Sequence, residues 1–254
     1  MTSSGVHFSN ALQNLRQLKD APLSWTWAGV ILAIQGGVAV VGGPDRQPAW
    51  SWFVALGLSH EGIFAGKIWQ VFTHGFLHGG WLHAGINAVF ILLIGSRIEH
   101  MAGRPILMQA IVFGIIGGGI GHLILAPGGQ GAALLVGLSG GCTALLLLLT
   151  TLSPQSRMMP LPISAKSLGL GVLAAELILA LIDPGLRIPG FSSLGKKLIE
   201  HGLGSWFQVG HACHFGGGIA GWMLGCWLLR PRITLKRLRR DRERREASGS
   251  DWIG

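Results

Sequence analysis

Long apolar stretches alternate with short polar breaks along this chain, and the stretches have membrane length. Ser24 to Gly43 carries no charged side chain, and at 1.5 Å per helical residue it reaches about 30 Å, enough to cross a bilayer once. Comparable runs cover Leu82 to Ile98, Pro105 to Leu125, Ser139 to Leu152, Ser167 to Ile182 and roughly Trp206 to Leu229. Pro154 stops the fourth and Asp183-Pro184 the fifth, because proline cannot continue a helix. The pattern predicts an all-α, polytopic membrane protein with six transmembrane helices. Residues 44–81, with Trp50, Trp52, Phe53 and Ile68 to Phe72, are too apolar for a free loop and too interrupted to span. They are expected to form an interfacial or partly embedded element.

Composition agrees: 49% of the 254 residues are hydrophobic and 12% charged, against about 25% charged in soluble proteins. The 41 glycines are read as sites of close helix approach. A net charge of +9 suggests nucleic-acid binding until its location is seen. Nine of the twenty Lys/Arg fall between Arg230 and Arg245, so the excess belongs to a tail and no nucleic-acid partner is expected. Cys142, Cys213 and Cys226 sit in apolar runs and read as structural thiols. The chain divides into a polar N-terminal segment (1–23), a membrane domain (24–230) and a basic tail (231–254). Residues 1–23 lack the pattern of a removable signal, so the first span is expected to act as a retained anchor. With the N-terminus inside, fifteen Lys/Arg lie on the inner side and five on the outer, which predicts six spans with both termini cytoplasmic.

Candidate chemistry begins with Gly137-Leu138-Ser139-Gly140-Gly141 at the start of the fourth run. A serine between glycines at a helix start has an exposed Oγ and an N–H in the unpaired first turn. Counting residues places Ser139 about 10 Å below the outer boundary and His214, eight residues into the sixth run, about 12 Å deep. Ala126 to Val136 must then enter the membrane as non-helical chain, which is tolerated only in protein or beside a wet cavity. His83 and Asn87 share a face of the second span and can donate to an oxyanion, with the Ser139 N–H. Gly217, Gly221 and Gly225 form a smooth stripe on the sixth span beside His214, so spans four and six are expected to approach closely.

These residues resemble the rhomboid family of intramembrane serine proteases. The carrying motifs are His78-Gly-Gly-Trp-Leu-His83-Ala-Gly-Ile-Asn87, Gly137-Leu-Ser139-Gly140, His214-Phe-Gly-Gly217-Gly-Ile-Ala-Gly221 and Gly95-x3-Glu99-x3-Gly103. The resemblance implies a rhomboid-like six-helix bundle over 24–230, Ser139 as nucleophile, His214 as base, and His83 and Asn87 as oxyanion stabilisers. Gly137, Gly140, Gly217, Gly221, His78 and Glu99 are expected to be structural residues near the site. No cofactor or metal is implied, and the expected substrates are single-pass membrane proteins within the lipid bilayer. Two positions depart from the pattern. Trp69-Gln70 replaces the frequent Trp-Arg of the first loop, removing a charge that ties it down. Thr143 replaces the aromatic ring that often packs on the histidine four residues after the serine.

His74, His78 and His211 have spacings that helices use for metal ligation, but loop hydrogen bonding is the favoured reading for the first two, and His211 is expected to line the pocket. Glu176, mid-span in the fifth run, is a functional candidate by default. The favoured reading is a protonated acid bonded to a neighbouring helix; the alternative is a third member orienting His214. The expected function is cleavage of transmembrane or juxtamembrane peptide bonds near the outer leaflet of a bacterial inner membrane. The alternatives are a weak or inactive member that binds membrane helices, and a small-solute transporter, disfavoured because no inverted repeat of broken helices is present. The basic tail is expected to be a cytoplasmic charge run with amphipathic character toward anionic lipid.

Overall fold

The computed structural model describes residues 18–129, 134–157, 163–231 and 235–247. Most of the N-terminal segment, Gln130 to Ala133 of the predicted re-entrant stretch, and Arg232 and Ile233 of the tail lie outside them. The described chain is a helical bundle with no strands; two isolated β-bridges join loop residues. Its membrane helices are α1 (Pro22–Val40), α5 (Trp81–Ala102), α6 (Arg104–Leu125), α7 (Ser139–Leu152), α8 (Ala165–Leu181) and α10 (His211–Leu228). Between α1 and α5 lie the short helices α2 (Ala49–Leu56), α3 (His60–Phe64) and α4 (Gln70–Thr73). Helix α9 (Phe191–Leu198) lies between α8 and α10, and α11 (Leu235–Ala247) forms the tail.

Local signals account for most boundaries. Pro22 and Pro105 occupy first-turn positions, where a missing N–H costs nothing. Ser59 and Ser164 accept from Gly62 and Ser167 and cap α3 and α8. Gly103 takes φ +88° and is the whole link between α5 and α6. A π-helical turn, Ile91–Gly95, interrupts α5 four residues past Asn87. Of the six, α1, α5 and α6 are long and apolar enough to cross a bilayer by length and composition. Helix α7 is shorter because it starts within the protein at Ser139.

The start of the sixth span differs from the expected Trp206. Gly204–Gln208 is a separate 3-10 turn, Val209 is extended, and α10 begins at His211. His214 therefore lies in the first turn of its helix rather than eight residues in. The expected depth of His214 assumes helix from Trp206 onward, whereas Trp206–Gln208 is 3-10 and Val209 is extended.

Helices α6, α7 and α10 form the centre, and their contacts are backbone to backbone. A methyl on Gly217 would strike the Gly140 backbone, one on Gly221 the Ala144 carbonyl, and one on Gly225 the Thr151 side chain. From α6, a methyl on Gly114 would come within 2.5 Å of Ala144 and one on Gly118 within 2.7 Å of Cys213. Lipid gives helices no hydrophobic reason to associate, so close packing across small residues supplies the attraction. The outward faces stay apolar: Leu82, Ile86, Val89 and Leu93 form an exposed stripe on α5, the lipid side of a membrane helix.

At the end of α5 remote from Asn87, Glu99 accepts from the Leu23 and Ser24 N–H groups at 3.1 and 2.9 Å, from Ser24 Oγ at 2.9 Å and from Arg104 Nε at 3.3 Å. It caps α1 and ties it to the α5–α6 corner. Glu99 thus lies twelve residues, or about 18 Å, along α5 from Asn87; it is structural as expected, but not near the candidate site. Glu99→Ala orphans one buried and one half-buried N–H group and should cost roughly 3 kcal/mol. Thermal unfolding in detergent should show a drop of several degrees, whereas Arg104→Ala, whose side chain is 66% exposed, should cost less than about 1 kcal/mol.

Candidate active site

The turn before α7 is held in place from the first loop. Leu58 and Leu135 exchange both N–H···O bonds at 3.0 and 2.9 Å, the Gly137 N–H donates to the His74 carbonyl at 3.0 Å, and the Leu138 N–H donates to His78 Nε2 at 3.3 Å. Irregular chain buried at this depth is thereby satisfied by protein partners. Gly137 is required twice over: its φ is +120°, and a methyl there would approach His83 Cε1 to 2.5 Å. The expectation of loop hydrogen bonding for His74 and His78 is met, since His74 Nε2 also donates to the Ile115 carbonyl at 3.3 Å. Burial pushes both imidazoles down to about 4, so both are neutral at pH 7.

Ser139, at the start of α7, opens onto a cavity of about 690 Å³ that His83, Asn87, His211 and His214 also line. The four residues expected to carry the chemistry therefore share one recess. Gly140 and Gly217 bring α7 and α10 together beside it, and Cys213 packs against Gly140, so both flanks of His214 abut the residue after Ser139. Among the described residues no hydrogen bond joins Ser139 to His214; such contacts often tighten only when substrate is bound.

Asn87 is 3% exposed, and its Nδ2 has no hydrogen-bond partner among the described residues. Its Oδ1 accepts from Cys142 Sγ at 3.5 Å, which turns the amide so that its N–H group is the unspent end. A buried amide donor without a partner beside a cavity suits an oxyanion. The His83 ring meets the His78 ring edge-on, with centroids 5.0 Å apart.

Glu176 of α8 reaches α10, where its partners are the two histidines, the contact of the alternative reading rather than of the favoured one. Its carboxyl oxygens lie 2.6 Å from His211 Nδ1 and 3.1 Å from His214 Nδ1, both within hydrogen-bond distance. His211 Nε2 donates to the Trp206 carbonyl at 2.9 Å. No metal was expected; these three side chains are the one group among the described residues with ligand atoms close enough for an ion, within 4.8 Å of one another, yet each already has a partner inside the trio.

A profile of the Rhomboid domain matches residues 65–231, about two thirds of the chain. This chain belongs to the rhomboid family. It is similar to Rhomboid-like protease 3 of Toxoplasma gondii, 29% identical over 123 residues, which cover 45% of this chain and 47% of that protein. The chain thus spans about half the length of the curated relative it matches.

Both departures from the rhomboid pattern have a local account. Gln70 is fully buried, and its amide donates to the Val54 carbonyl at 3.1 Å while accepting from the Ser59 N–H at 3.4 Å. An uncharged amide thus ties the first loop down, and Gly62 leaves it room, since a methyl there would collide with Gln70 Oε1. Thr143 Oγ1 donates back to the Ser139 and Gly140 carbonyls at 3.1 and 3.0 Å. Sequence reasoning did not single out His122 on α6 as a lining residue, nor Cys142 as the partner of Asn87; neither has a spacing signal. Gln70→Leu should destabilise the fold by about 1–3 kcal/mol, because it orphans buried polar groups of the loop. The midpoint of detergent thermal unfolding measures it.

Proposed function

We propose that this rhomboid is an intramembrane serine endopeptidase that cleaves single-pass membrane proteins in or beside their spans. The observation that carries the reading is the convergence of Ser139, His214, His83 and Asn87 on one cavity, with an unpartnered Asn87 donor. His214 Nε2 takes the Ser139 hydroxyl proton as Oγ attacks the scissile carbonyl. The oxyanion is met by Asn87 Nδ2, the His83 ring and the Ser139 N–H in the open first turn of α7. The protonated His214 then donates to the leaving amine, and water hydrolyses the acyl-enzyme by the same route. Small and helix-weakening residues at the cut suit a recess that admits only extended backbone.

The same reading places the membrane domain at 24–230 with both termini cytoplasmic, supported by the Lys/Arg asymmetry. The cavity then opens toward the outer leaflet, and the basic tail faces the anionic inner surface of a bacterial inner membrane.

Reconstituted wild-type protein should cleave a single-pass reporter, and Ser139→Ala and His214→Ala should abolish that cleavage. Asn87→Ala should lower kcat by about 10²-fold, the usual cost of one oxyanion donor. A fluorophosphonate should label the wild type and not Ser139→Ala. Cleavage surviving in Ser139→Ala would overturn the serine mechanism, while reporter binding without cleavage by the wild type would favour the non-catalytic helix binder.

A further inference from the structure

We propose that Glu176 is a positioning residue for the base, and that His211 fixes Glu176. This inference rests on the protease reading and adds a third and fourth member to its dyad. The argument starts from hydrogen-bond arithmetic at His211. Its Nε2 faces the Trp206 carbonyl at 2.9 Å and its Nδ1 faces Glu176 Oε2 at 2.6 Å. A carbonyl oxygen only accepts, and so does an ionised carboxylate. With Glu176 ionised, as this proposal takes it, both ring nitrogens of His211 act as donors and Glu176 balances the charge of the ring. A charge pair of this kind is how a carboxylate persists mid-span, where an isolated one would be expensive.

The second carboxylate oxygen then has one role left. Oε1 lies 3.1 Å from His214 Nδ1, and an ionised carboxylate can only accept, so His214 holds its proton on Nδ1. That leaves Nε2 as a lone pair, the state a base needs toward a serine hydroxyl. An acidic partner on one ring nitrogen setting the tautomer and aim of the other is the general logic of serine hydrolase sites.

The arrangement also answers the Thr143 departure. Where an aromatic ring is missing on the α7 side, the Thr143 hydroxyl turns into its own helix, and the base is anchored from α8 instead. The trio is largely shielded, with side-chain exposures of 11% for His211, 15% for His214 and 18% for Glu176, so water competes weakly for these bonds.

Two variants and one spectrum test the proposal. Glu176→Leu removes the acceptor, and kcat for reporter cleavage should fall at least tenfold with KM within twofold. Glu176→Gln still offers an amide oxygen to Nδ1–H and should retain more of kcat than the Leu variant. Histidine ¹⁵N NMR in a Ser139→Ala background, with the His214 signals assigned by their loss in His214→Ala, should show Nδ1 protonated and Nε2 bare. Glu176→Leu should scramble that pattern. A Leu variant with kcat within twofold of wild type, or a His214 spectrum indifferent to Glu176, would overturn the assignment. The spectrum needs no turnover, so a wild type that failed to cleave would sink the protease reading while leaving this hydrogen bond independently tested.

Discussion

Backbone touching backbone where α6, α7 and α10 cross is the contact on which the site depends. In lipid the apolar face of a helix gains nothing from finding another apolar face, so association must come from packing at short range. Glycine permits that range, and Gly140 against Gly217, Ala144 against Gly221 and Gly114 against Ala144 use it in full. Ser139 precedes one of these glycines by a single residue and His214 precedes another by three. The spacing of the two side chains is inherited from the helix crossing rather than set by flexible linkers, as a constellation with tolerances near half an ångström requires.

A second constraint is electrostatic. Non-helical chain beneath a membrane surface exposes N–H and C=O groups that hydrocarbon cannot satisfy, and the serine is carried on such chain. The first loop supplies the partners: Leu58 pairs with Leu135, the His74 carbonyl receives Gly137, and His78 Nε2 receives Leu138. That loop needs anchoring of its own, which Gln70 provides through bonds to Val54 of α2 and to Ser59 at the start of α3. Indole and alkyl side chains of the same loop, Trp50, Ile68 and Trp69 among them, are turned outward, consistent with an element resting in the interface.

Much of this was legible from residue order alone. Apolar runs located all six membrane helices, and the glycine stripe on α10 foretold its approach to α7, because small residues at intervals of four mark one face of a helix. The start of α10 was misplaced because hydrophobicity does not by itself mark helicity, and Trp206 to Gly210 continue the apolar run without joining the helix. The five glycines of α6 between Gly114 and Gly121 were not singled out as contact points, although Gly114, Gly117, Gly118 and Gly121 fall at i, i+3, i+4 and i+7 and so share one face of the helix. Glu176 was flagged as costly in a membrane, yet its partners on α10 lie 35 and 38 residues away, a pairing that only three-dimensional packing defines. Gln70 looked like a lost charge because a sequence shows formal charge directly and amide hydrogen bonding not at all.

The one-residue link at Gly103 has a consequence for how the protein is made. Helices α5 and α6 follow each other with no slack, and a left-handed glycine turns the chain between them. Two spans so joined cannot be threaded into the bilayer one at a time with a resting loop between; they enter as a hairpin. The cap that Glu99 gives to α1 closes over that corner, so the first three spans are clasped together at one end by contacts that involve none of the serine-bearing helix.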